Sequence, residues 1–283
     1  MSNLLLRILL WFVAIPLLFV LVYFFPEPHH LVFNLLTVPA SSLAAVEVSQ
    51  LFSRNGGNKP HILSVILIGA LLPALAILEL FGLISIEVTL VAIVSVAGLN
   101  LAAQVFRRNE LHFGLILPAV SASTTVLIYP GLFMSYVVRL SSLPDATFLL
   151  FSYVCVVYFN DTMAYIAGRL FGKSSRGLVA ISPNKSVPGF IGGFILSPIV
   201  VVVAHALRPS LFPGTTAARL LFGGIIGIVV ILGDLVESAM KRSATMKDSG
   251  QIIPGRGGIL DSIDSPIFTA PVFYYLYKVF FLS

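Results

Sequence analysis

The sequence predicts an all-α, polytopic integral membrane protein with about nine transmembrane helices. Its 283 residues are 58% hydrophobic, and only 10% of them carry a charged side chain. Soluble domains are nearer one half apolar and one quarter charged, so this composition indicates a chain surrounded largely by lipid. Apolar runs that are long enough to span a bilayer also recur along the whole chain.

The predicted spans follow one another with short connections. They comprise residues 4–25, 31–52, 62–83, 85–105, 112–138, 146–170, 189–207, 217–240 and 266–282. A cleaved signal peptide is the alternative for the first run, but its length and the Pro-Glu-Pro that follows favour a retained helix. The fifth run contains Pro118 and Pro130, which predict a tilted or broken helix. If this run formed two half-spans instead of one span, every earlier helix would have the opposite orientation in the membrane.

Basic residues are distributed unevenly between the two sides of the predicted membrane. One side of the membrane holds the N-terminus and the connections that follow the second, fourth, sixth and eighth predicted spans. Thirteen of the seventeen lysines and arginines fall on that side, and four fall on the other side. The positive-inside rule therefore places the N-terminus in the cytoplasm and the C-terminus outside. It also places the connections 171–188 and 241–265 in the cytoplasm, where nucleotides and free Mg²⁺ are present.

One polar segment, residues 233–265, interrupts the apolar pattern near the C-terminus. It holds five of the twelve acidic residues and four of the seventeen basic residues. The acidic members are Asp234, Glu237, Asp248, Asp261 and Asp264, and the basic members are Lys241, Arg242, Lys247 and Arg256. This density of charge in a chain otherwise poor in charge indicates a site for metal-dependent phosphate chemistry at the membrane surface.

A first pair of carboxylates stands at the end of the eighth apolar run. Asp234 and Glu237 are three residues apart, so a helix would place them on one face together with Lys241. Carboxylates at membrane depth usually face a polar cavity or a charged partner. An interfacial charge pair with Lys241 or Arg242 is therefore the alternative interpretation.

A second pair, Asp261 and Asp264, precedes the last predicted helix. The glycine-rich stretch 254–258 comes just before it, and glycine allows a sharp turn that presents backbone N–H groups to an anion. Hard oxygen ligands gathered from two helix ends suit Mg²⁺. Basic side chains nearby suit the phosphate groups of a substrate.

Other polar residues in the apolar runs are weaker candidates. Asp161 could line the same cavity, or it could mark a helix kink or a packing hydrogen bond. Lys185 precedes a glycine-rich helix start, which could bind an anion or could simply serve close helix packing. Glu47 and Glu79 are intramembrane carboxylates, and each could be functional or could pack against a neighbouring polar group.

Several motifs in the second half of the chain form a recognisable set. The longest comprises Ser238-Ala239-Met240-Lys241-Arg242, Lys247-Asp248 and Pro254-Gly255-x-Gly-Gly-Ile259-Leu260-Asp261-x-Ile263-Asp264. The others are Gly233-Asp234-Leu235-x-Glu237-Ser238, Asp161-Thr162-x-Ala164-Tyr165 and Ser182-Pro183-x-Lys185. Together they resemble the motifs of the phosphatidate cytidylyltransferase (CDP-diacylglycerol synthase) family. The resemblance is specific over roughly residues 155–283, while the first half resembles the family only as hydrophobic helices.

The resemblance implies a nucleotidyltransferase of phospholipid biosynthesis that converts CTP and phosphatidic acid to CDP-diacylglycerol and pyrophosphate. It implies a single integral membrane domain, with N-terminal helices over about 1–145 and catalytic helices and cytoplasmic loops over about 146–283. The expected location is the inner (plasma) membrane, with the active site facing the cytoplasm. Mg²⁺ is the expected cofactor. A second cation such as K⁺ and a homodimer are further expectations, and nucleic acid is not an expected partner.

The resemblance also assigns roles to residues. The expected catalytic residues are Asp234, Lys241, Asp261 and Asp264, and the expected metal ligands are Asp234, Asp261 and Asp264. The expected substrate-binding residues are Asp161, Lys185, Glu237, Arg242, Lys247, Asp248 and Arg256.

Four positions depart from the family pattern. The family usually has histidine at Arg256, arginine at Ser262, lysine at Asn184 and glutamate at Pro188. Two other functions remain open on the residues alone. A kinase-like enzyme acting on polyprenol or phytol would transfer the γ-phosphate of CTP or ATP, and an ion-coupled transporter would carry its carboxylates nearer the bilayer midplane.

Overall fold

The computed structural model describes residues 16–54, 61–106, 110–177 and 179–282. Regular structure in these ranges is helical, with two isolated β-bridges and no strand. The helices are α1 (Leu31–Arg54), α2 (Ile62–Leu80), α3 (Ile86–Val105), α4 (Ile116–Val126), α5 (Phe133–Arg139), α6 (Ala146–Phe171), α7 (Val187–Leu207), α8 (Thr216–Ser243) and α9 (Leu260–Phe281). The prediction of an all-α chain is therefore confirmed.

Seven helical segments of the described chain are long and apolar enough to cross a membrane. They are α1, α2, α3, the segment Phe113–Ser142, α6, α7 and α8. The prediction of a polytopic membrane protein is confirmed, but a count of nine is not established. Of the first predicted span, residues 4–15 lie outside the described residues, while residues 16–24 are helical. The last helix, α9, is not among the seven.

The proline-containing fifth run is one continuous helical segment whose geometry changes along its length. A π-helical turn, Leu127–Leu132, joins α4 to α5 and contains Pro130. Proline has no N–H to donate, which disturbs the regular hydrogen bonding of an α-helix. The hydroxyl of Ser41 lies 2.7 Å from the carbonyl oxygens of both Pro130 and Gly69, so its one proton can be donated to either of them. The segment nevertheless forms one candidate span of 30 residues.

The chain forms two compact units. Unit 1 comprises Met1–Arg139 and Met240–Ile263, and unit 2 comprises Leu140–Ala239 and Asp264–Ser283. The polar segment therefore contributes to both units.

Unit 1 contains a buried ion pair within its helical core. One guanidinium nitrogen of Arg139, at the end of α5, lies 2.7 Å from a carboxylate oxygen of Glu79, at the end of α2. A second nitrogen of Arg139 donates to the same carboxylate oxygen at 3.2 Å. The Thr89 hydroxyl donates to the other carboxylate oxygen of Glu79. Glu79 therefore ties three segments together, which agrees with the packing alternative for this intramembrane carboxylate.

Unit 2 is held by aromatic packing and by buried polar contacts. The rings of Phe212, Phe222 and Phe273 pack in series, with centroids 5.8 Å and 5.1 Å apart. The buried amide of Asn160 on α6 donates to the Ser197 hydroxyl at 2.8 Å and to the Gly227 carbonyl at 3.2 Å. Since Ser197 lies on α7 and Gly227 on α8, this one side chain joins three helices.

A polar contact also ties the start of α6 to the end of α7 in unit 2. Asp145 precedes α6 and accepts hydrogen bonds from the Arg208 guanidinium and the Ser210 hydroxyl, each at 2.5 Å. These donors favour the ionised carboxylate, and they lower the pKa of Asp145 from its ordinary value.

Replacing Glu79 with alanine should destabilise the protein, because it leaves the Arg139 guanidinium buried without its carboxylate. Loss of one partner of a buried ion pair typically costs about 3–5 kcal/mol. Thermal unfolding in detergent measures the effect. The double variant Glu79→Leu with Arg139→Met is the control and should regain most of the loss, since well-packed apolar residues can replace such a pair. A Glu79→Ala protein as stable as the wild type would contradict this account of the core.

Candidate active site

The polar segment begins on α8, which stays helical through Ser243. Asp234, Glu237 and Lys241 therefore lie on one helix, as predicted. Two residues beyond the helix, Thr245 adopts a left-handed conformation with φ of 55°. The N–H of Met246 then donates to the carbonyl of Lys241 at 2.8 Å, and the N–H of Thr245 donates to that of Arg242 at 3.0 Å. This is the Schellman arrangement, which ends a helix and turns the chain sharply into the following loop.

The glycine-rich stretch after this loop makes a tight turn. The backbones of Ile253 and Gly257 are bridged in both directions, at 2.8 Å and 3.0 Å. Gly257 has φ of 122°, a conformation open mainly to glycine. The N–H of Gly258 then donates to the carboxylate of Asp261 at 2.7 Å.

Asp261 is surrounded by donors within unit 1. One carboxylate oxygen accepts a hydrogen bond from the Lys241 ammonium at 2.6 Å. The other accepts from the N–H groups of Ser249, at 2.8 Å, and Gly258. Asp261 is thus paired with Lys241 and holds the loop against the first turn of α9.

A second buried carboxylate, Glu47 of α1, binds the same loop. One of its oxygens accepts the N–H of Ile259 at 2.9 Å, and the other accepts the N–H of Leu260 at 2.8 Å. The Ser249 hydroxyl lies 2.9 Å from this second oxygen. The first N–H groups of a helix have no partner within it, and the helix dipole favours an anion there. Glu47 therefore caps the N-terminus of α9 from more than 200 residues away.

Glycine is required where the loop meets Glu47. A Cβ atom on Gly258 would lie 2.3 Å from a Glu47 carboxylate oxygen and 2.3 Å from the Ser249 hydroxyl oxygen. Both distances are shorter than van der Waals contact. The glycine motif thus allows a buried carboxylate to approach the backbone closely.

Three carboxylates converge in unit 2. Asp234, Glu237 and Asp264 each offer an oxygen, and these oxygens lie within 4.8 Å of one another. Glu237 and Asp264 are buried, and Asp234 is half-buried. Asp234 also forms an ion pair with Lys185. The structure therefore brings together two of the three predicted metal ligands and adds Glu237, which was predicted to bind substrate.

Close helix packing creates this convergence. A Cβ atom on Gly233 would lie 2.9 Å from the Cβ of Phe268 and 3.2 Å from the Cα of Ser265. Glycine at this position therefore lets α8 and α9 approach within unit 2, beside Asp234 and Asp264. Lys185 comes from the loop before α7, where Ser186 caps the helix by accepting the N–H of Gly189.

The donor set of this carboxylate group fits a divalent cation. It consists of oxygen atoms only, which is what Mg²⁺ prefers. Carboxylates this close repel one another when they are ionised. A divalent cation bound among their oxygens would reduce this repulsion.

The remaining predicted site residues lie elsewhere. Asp161 is half-buried on α6, outside the group of three carboxylates. Arg242 is exposed and donates to the carbonyl of Met246 at 3.0 Å. Lys247 and Asp248 line a cavity of about 430 Å³ in unit 1. Arg256 is half-buried in the glycine-rich turn.

Comparison with known proteins gives the family. Residues 5–280 match the model of the Cytidylyltransferase family. The chain belongs to this family. It is 32% identical to the phosphatidate cytidylyltransferase of Bacillus subtilis over 251 residues, which cover 88% of this chain and 89% of that protein. The resemblance predicted from the motifs is confirmed.

Other relatives match the chain over a shorter length. The phosphatidate cytidylyltransferase of Staphylococcus haemolyticus is 47% identical over 125 residues, 44% of this chain and 46% of that protein. The uncharacterized protein YnbB of Escherichia coli is 42% identical over 119 residues, 42% of this chain and 39% of that protein. Similarity to the cytidylyltransferases is therefore stronger in one part of the chain than over its full length.

At two of the four positions that depart from the family pattern, the local structure accommodates the residue present. Pro188 is the second residue of α7, and proline is tolerated in the first turn of a helix because its missing N–H has no partner there. Ser262 lies in the first turn of α9, and its hydroxyl donates to the Gly258 carbonyl at 3.4 Å.

Replacing Gly258 with alanine should loosen the loop, because the new Cβ would overlap Glu47 and Ser249. We expect a loss of about 1–3 kcal/mol, the range for overpacking a tight site, measured by thermal unfolding in detergent. Gly98→Ala on α3 is the matched control, since a Cβ there meets nothing within 4 Å. Equal unfolding temperatures for Gly258→Ala and Gly98→Ala would contradict the close approach of Glu47.

Proposed function

We propose that this protein is a phosphatidate cytidylyltransferase, which makes CDP-diacylglycerol and pyrophosphate from CTP and phosphatidic acid in the membrane. The observation that carries the proposal is the group of three carboxylates with Lys185 in a chain whose residues 5–280 match the Cytidylyltransferase family. The similarity to the Bacillus subtilis enzyme along nearly the whole chain supports it further.

The chemistry places modest demands on proton transfer. The nucleophile is an oxygen of the lipid phosphate, whose second pKa is about 6, so it is largely ionised at neutral pH. No strong general base is then needed. The main obstacle is the repulsion between two polyanions, and fixed positive charges reduce it. This agrees with Lys185 beside the carboxylate group and with the basic side chains of the polar segment, Lys241, Arg242, Lys247 and Arg256.

Mg²⁺ is the proposed cofactor, held by Asp234, Glu237 and Asp264. When bound, the cation would neutralise phosphate charge and favour attack on the α-phosphorus of CTP. Asp261 was also predicted as a ligand and stays a prediction, although its oxygens receive hydrogen bonds from the Lys241 ammonium and from the N–H groups of Ser249 and Gly258. A second cation such as K⁺ and a homodimer remain predictions as well.

The other charged residues have distinct proposed roles. Lys185 would orient Asp234 and contribute positive charge for a phosphate, since the two side chains form an ion pair. Lys241 is proposed as a positioning residue that acts through Asp261. The predicted substrate-binding residues Asp161, Arg242, Lys247, Asp248 and Arg256 are retained as proposals.

The proposed orientation follows from the distribution of lysine and arginine. With thirteen of seventeen basic residues on one side, the N-terminus and the loop 241–265 would face the cytoplasm. CTP would enter from that side. The lipid substrate would reach the site laterally from the inner membrane.

The decisive assay follows the two ends of the CTP triphosphate separately. Purified protein in detergent receives phosphatidic acid, Mg²⁺ and CTP labelled on either the α- or the γ-phosphate. We expect the α-label in lipid with release of pyrophosphate, and loss of transfer when Mg²⁺ is chelated. Asp264→Asn should lower the rate by about 100-fold or more, as expected for loss of a strong electrostatic contribution.

The matched control is Glu87→Gln, which makes the same change from acid to amide at an exposed position of α3. This variant should keep its activity. Appearance of the γ-label in lipid would indicate a kinase instead. No transfer from folded wild-type protein would contradict the proposal.

A further inference from the structure

Two cavities in unit 1 meet at the cytoplasmic end proposed for α1. One, of about 430 Å³, is lined by Lys247, Asp248 and other residues of the loop after α8. The other, of about 420 Å³, lies against α1 and α2; Val46, Ile62 and Val65 form its apolar wall, and Ser49 and Ser53 also line it. Gln50 and Arg54 line both cavities. The two spaces therefore adjoin at a polar boundary, with a charged side and an apolar side.

The boundary has the chemistry of a phosphate site. Arg54 is exposed, and its guanidinium presents several N–H donors in a geometry that matches phosphate oxygens. Lys247 is a second exposed cation at the loop side of the same space. Gln50 adds an amide donor. Asp248 is the only acidic residue among the lining residues described for the two cavities, so cations outnumber anions there.

The apolar cavity indicates that the phosphate belongs to a lipid. Its walls include residues of α1 and α2, both candidate membrane spans. Arg54 is the last residue of α1, and arginine at the end of a span holds its charge at headgroup level while its stem stays in apolar surroundings. Inorganic phosphate has no apolar part to place against this wall, whereas an acyl chain does. An amphiphile would place its phosphate at Arg54 and its glycerol and first methylenes against Val46, Ile62 and Val65.

We propose that Gln50, Arg54 and Lys247 bind the phosphomonoester of the lipid substrate, with the apolar cavity between α1 and α2 receiving the adjoining diacylglycerol. The identity of the lipid as phosphatidic acid rests on the proposed function. The site itself rests only on the cavities and their charges. It gives the first half of the chain, which lies outside the motifs quoted above, a direct part in choosing the lipid.

Ligand-induced stabilisation tests the site without catalysis. The probes are dioleoyl phosphatidic acid, diacylglycerol with the same acyl chains, and inorganic phosphate, each added to the wild-type protein in detergent without CTP or metal. We expect phosphatidic acid alone to raise the unfolding temperature. Equal stabilisation by inorganic phosphate would show a site for the free anion, and equal stabilisation by diacylglycerol would show that the phosphate is not recognised. Either result would overturn the inference.

Variants of Arg54 assign the effect to a residue. Arg54→Ala should weaken phosphatidic acid binding by about tenfold or more, since it removes charge-assisted hydrogen bonds, and Arg54→Lys should fall between Arg54→Ala and the wild type. Lys278→Ala removes an exposed cation that lines neither cavity and should bind as the wild type does. The unfolding temperature of each variant without lipid shows whether it is folded. Wild-type binding by folded Arg54→Ala would overturn the inference.

Steady-state kinetics tests whether Arg54 acts on the lipid and not on the nucleotide. Arg54→Ala should lower kcat/KM for phosphatidic acid by about tenfold or more while the KM for CTP changes little. An increased KM for CTP would place the nucleotide there instead and overturn the inference. Lipid binding that depends on Arg54 in a protein that transfers no nucleotide would contradict the proposed function and leave the lipid site standing.

Discussion

The buried carboxylate of Glu47 is the interaction on which the polar part of unit 1 depends. A buried charge is costly unless hydrogen bonds compensate it. Here the compensation comes from the N–H groups of Ile259 and Leu260 and from the Ser249 hydroxyl. These contacts fix both the start of α9 and the preceding loop to α1. Lys247 belongs to that loop and Arg54 to α1, so the cavity that they share depends on the same carboxylate.

Six acidic residues of the described chain fall into two groups according to their contacts. Glu79, Glu47 and Asp261 accept hydrogen bonds from cationic side chains, hydroxyl groups or backbone N–H groups, and they hold helices and a loop in place. Asp234, Glu237 and Asp264 bring carboxylate oxygens within 4.8 Å of one another, and Asp234 also pairs with Lys185. Asp261 and Asp264 are only three residues apart, yet they belong to different groups. The position of a carboxylate in a motif therefore does not by itself indicate which carboxylates converge.

The sequence was informative where a pattern is local and less so where a contact is distant. Hydrophobic runs predicted the helices, and residue spacing placed Asp234 and Glu237 on α8. The motifs also predicted the family. The sequence did not predict that Glu47 caps α9, because no local pattern connects residues 213 positions apart. It treated the glycines at 254–258 as donors to a phosphate, whereas in the structure the N–H of Gly258 contacts Asp261. The general rule that an intramembrane carboxylate needs a partner was the available signal for Glu47.

Hydrogen exchange across residues 249–260, in the wild type and in Glu47→Gln, tests most directly whether Glu47 organises this region. Glutamine keeps the size of the side chain but removes the charge and turns one acceptor into a donor. If Glu47 holds the loop, the amides of Ile259 and Leu260 should exchange at least about tenfold faster in the variant, corresponding to about 1.4 kcal/mol of lost local stability. Exchange in unit 2 should be unchanged. Wild-type protection of these amides in the variant would contradict the account.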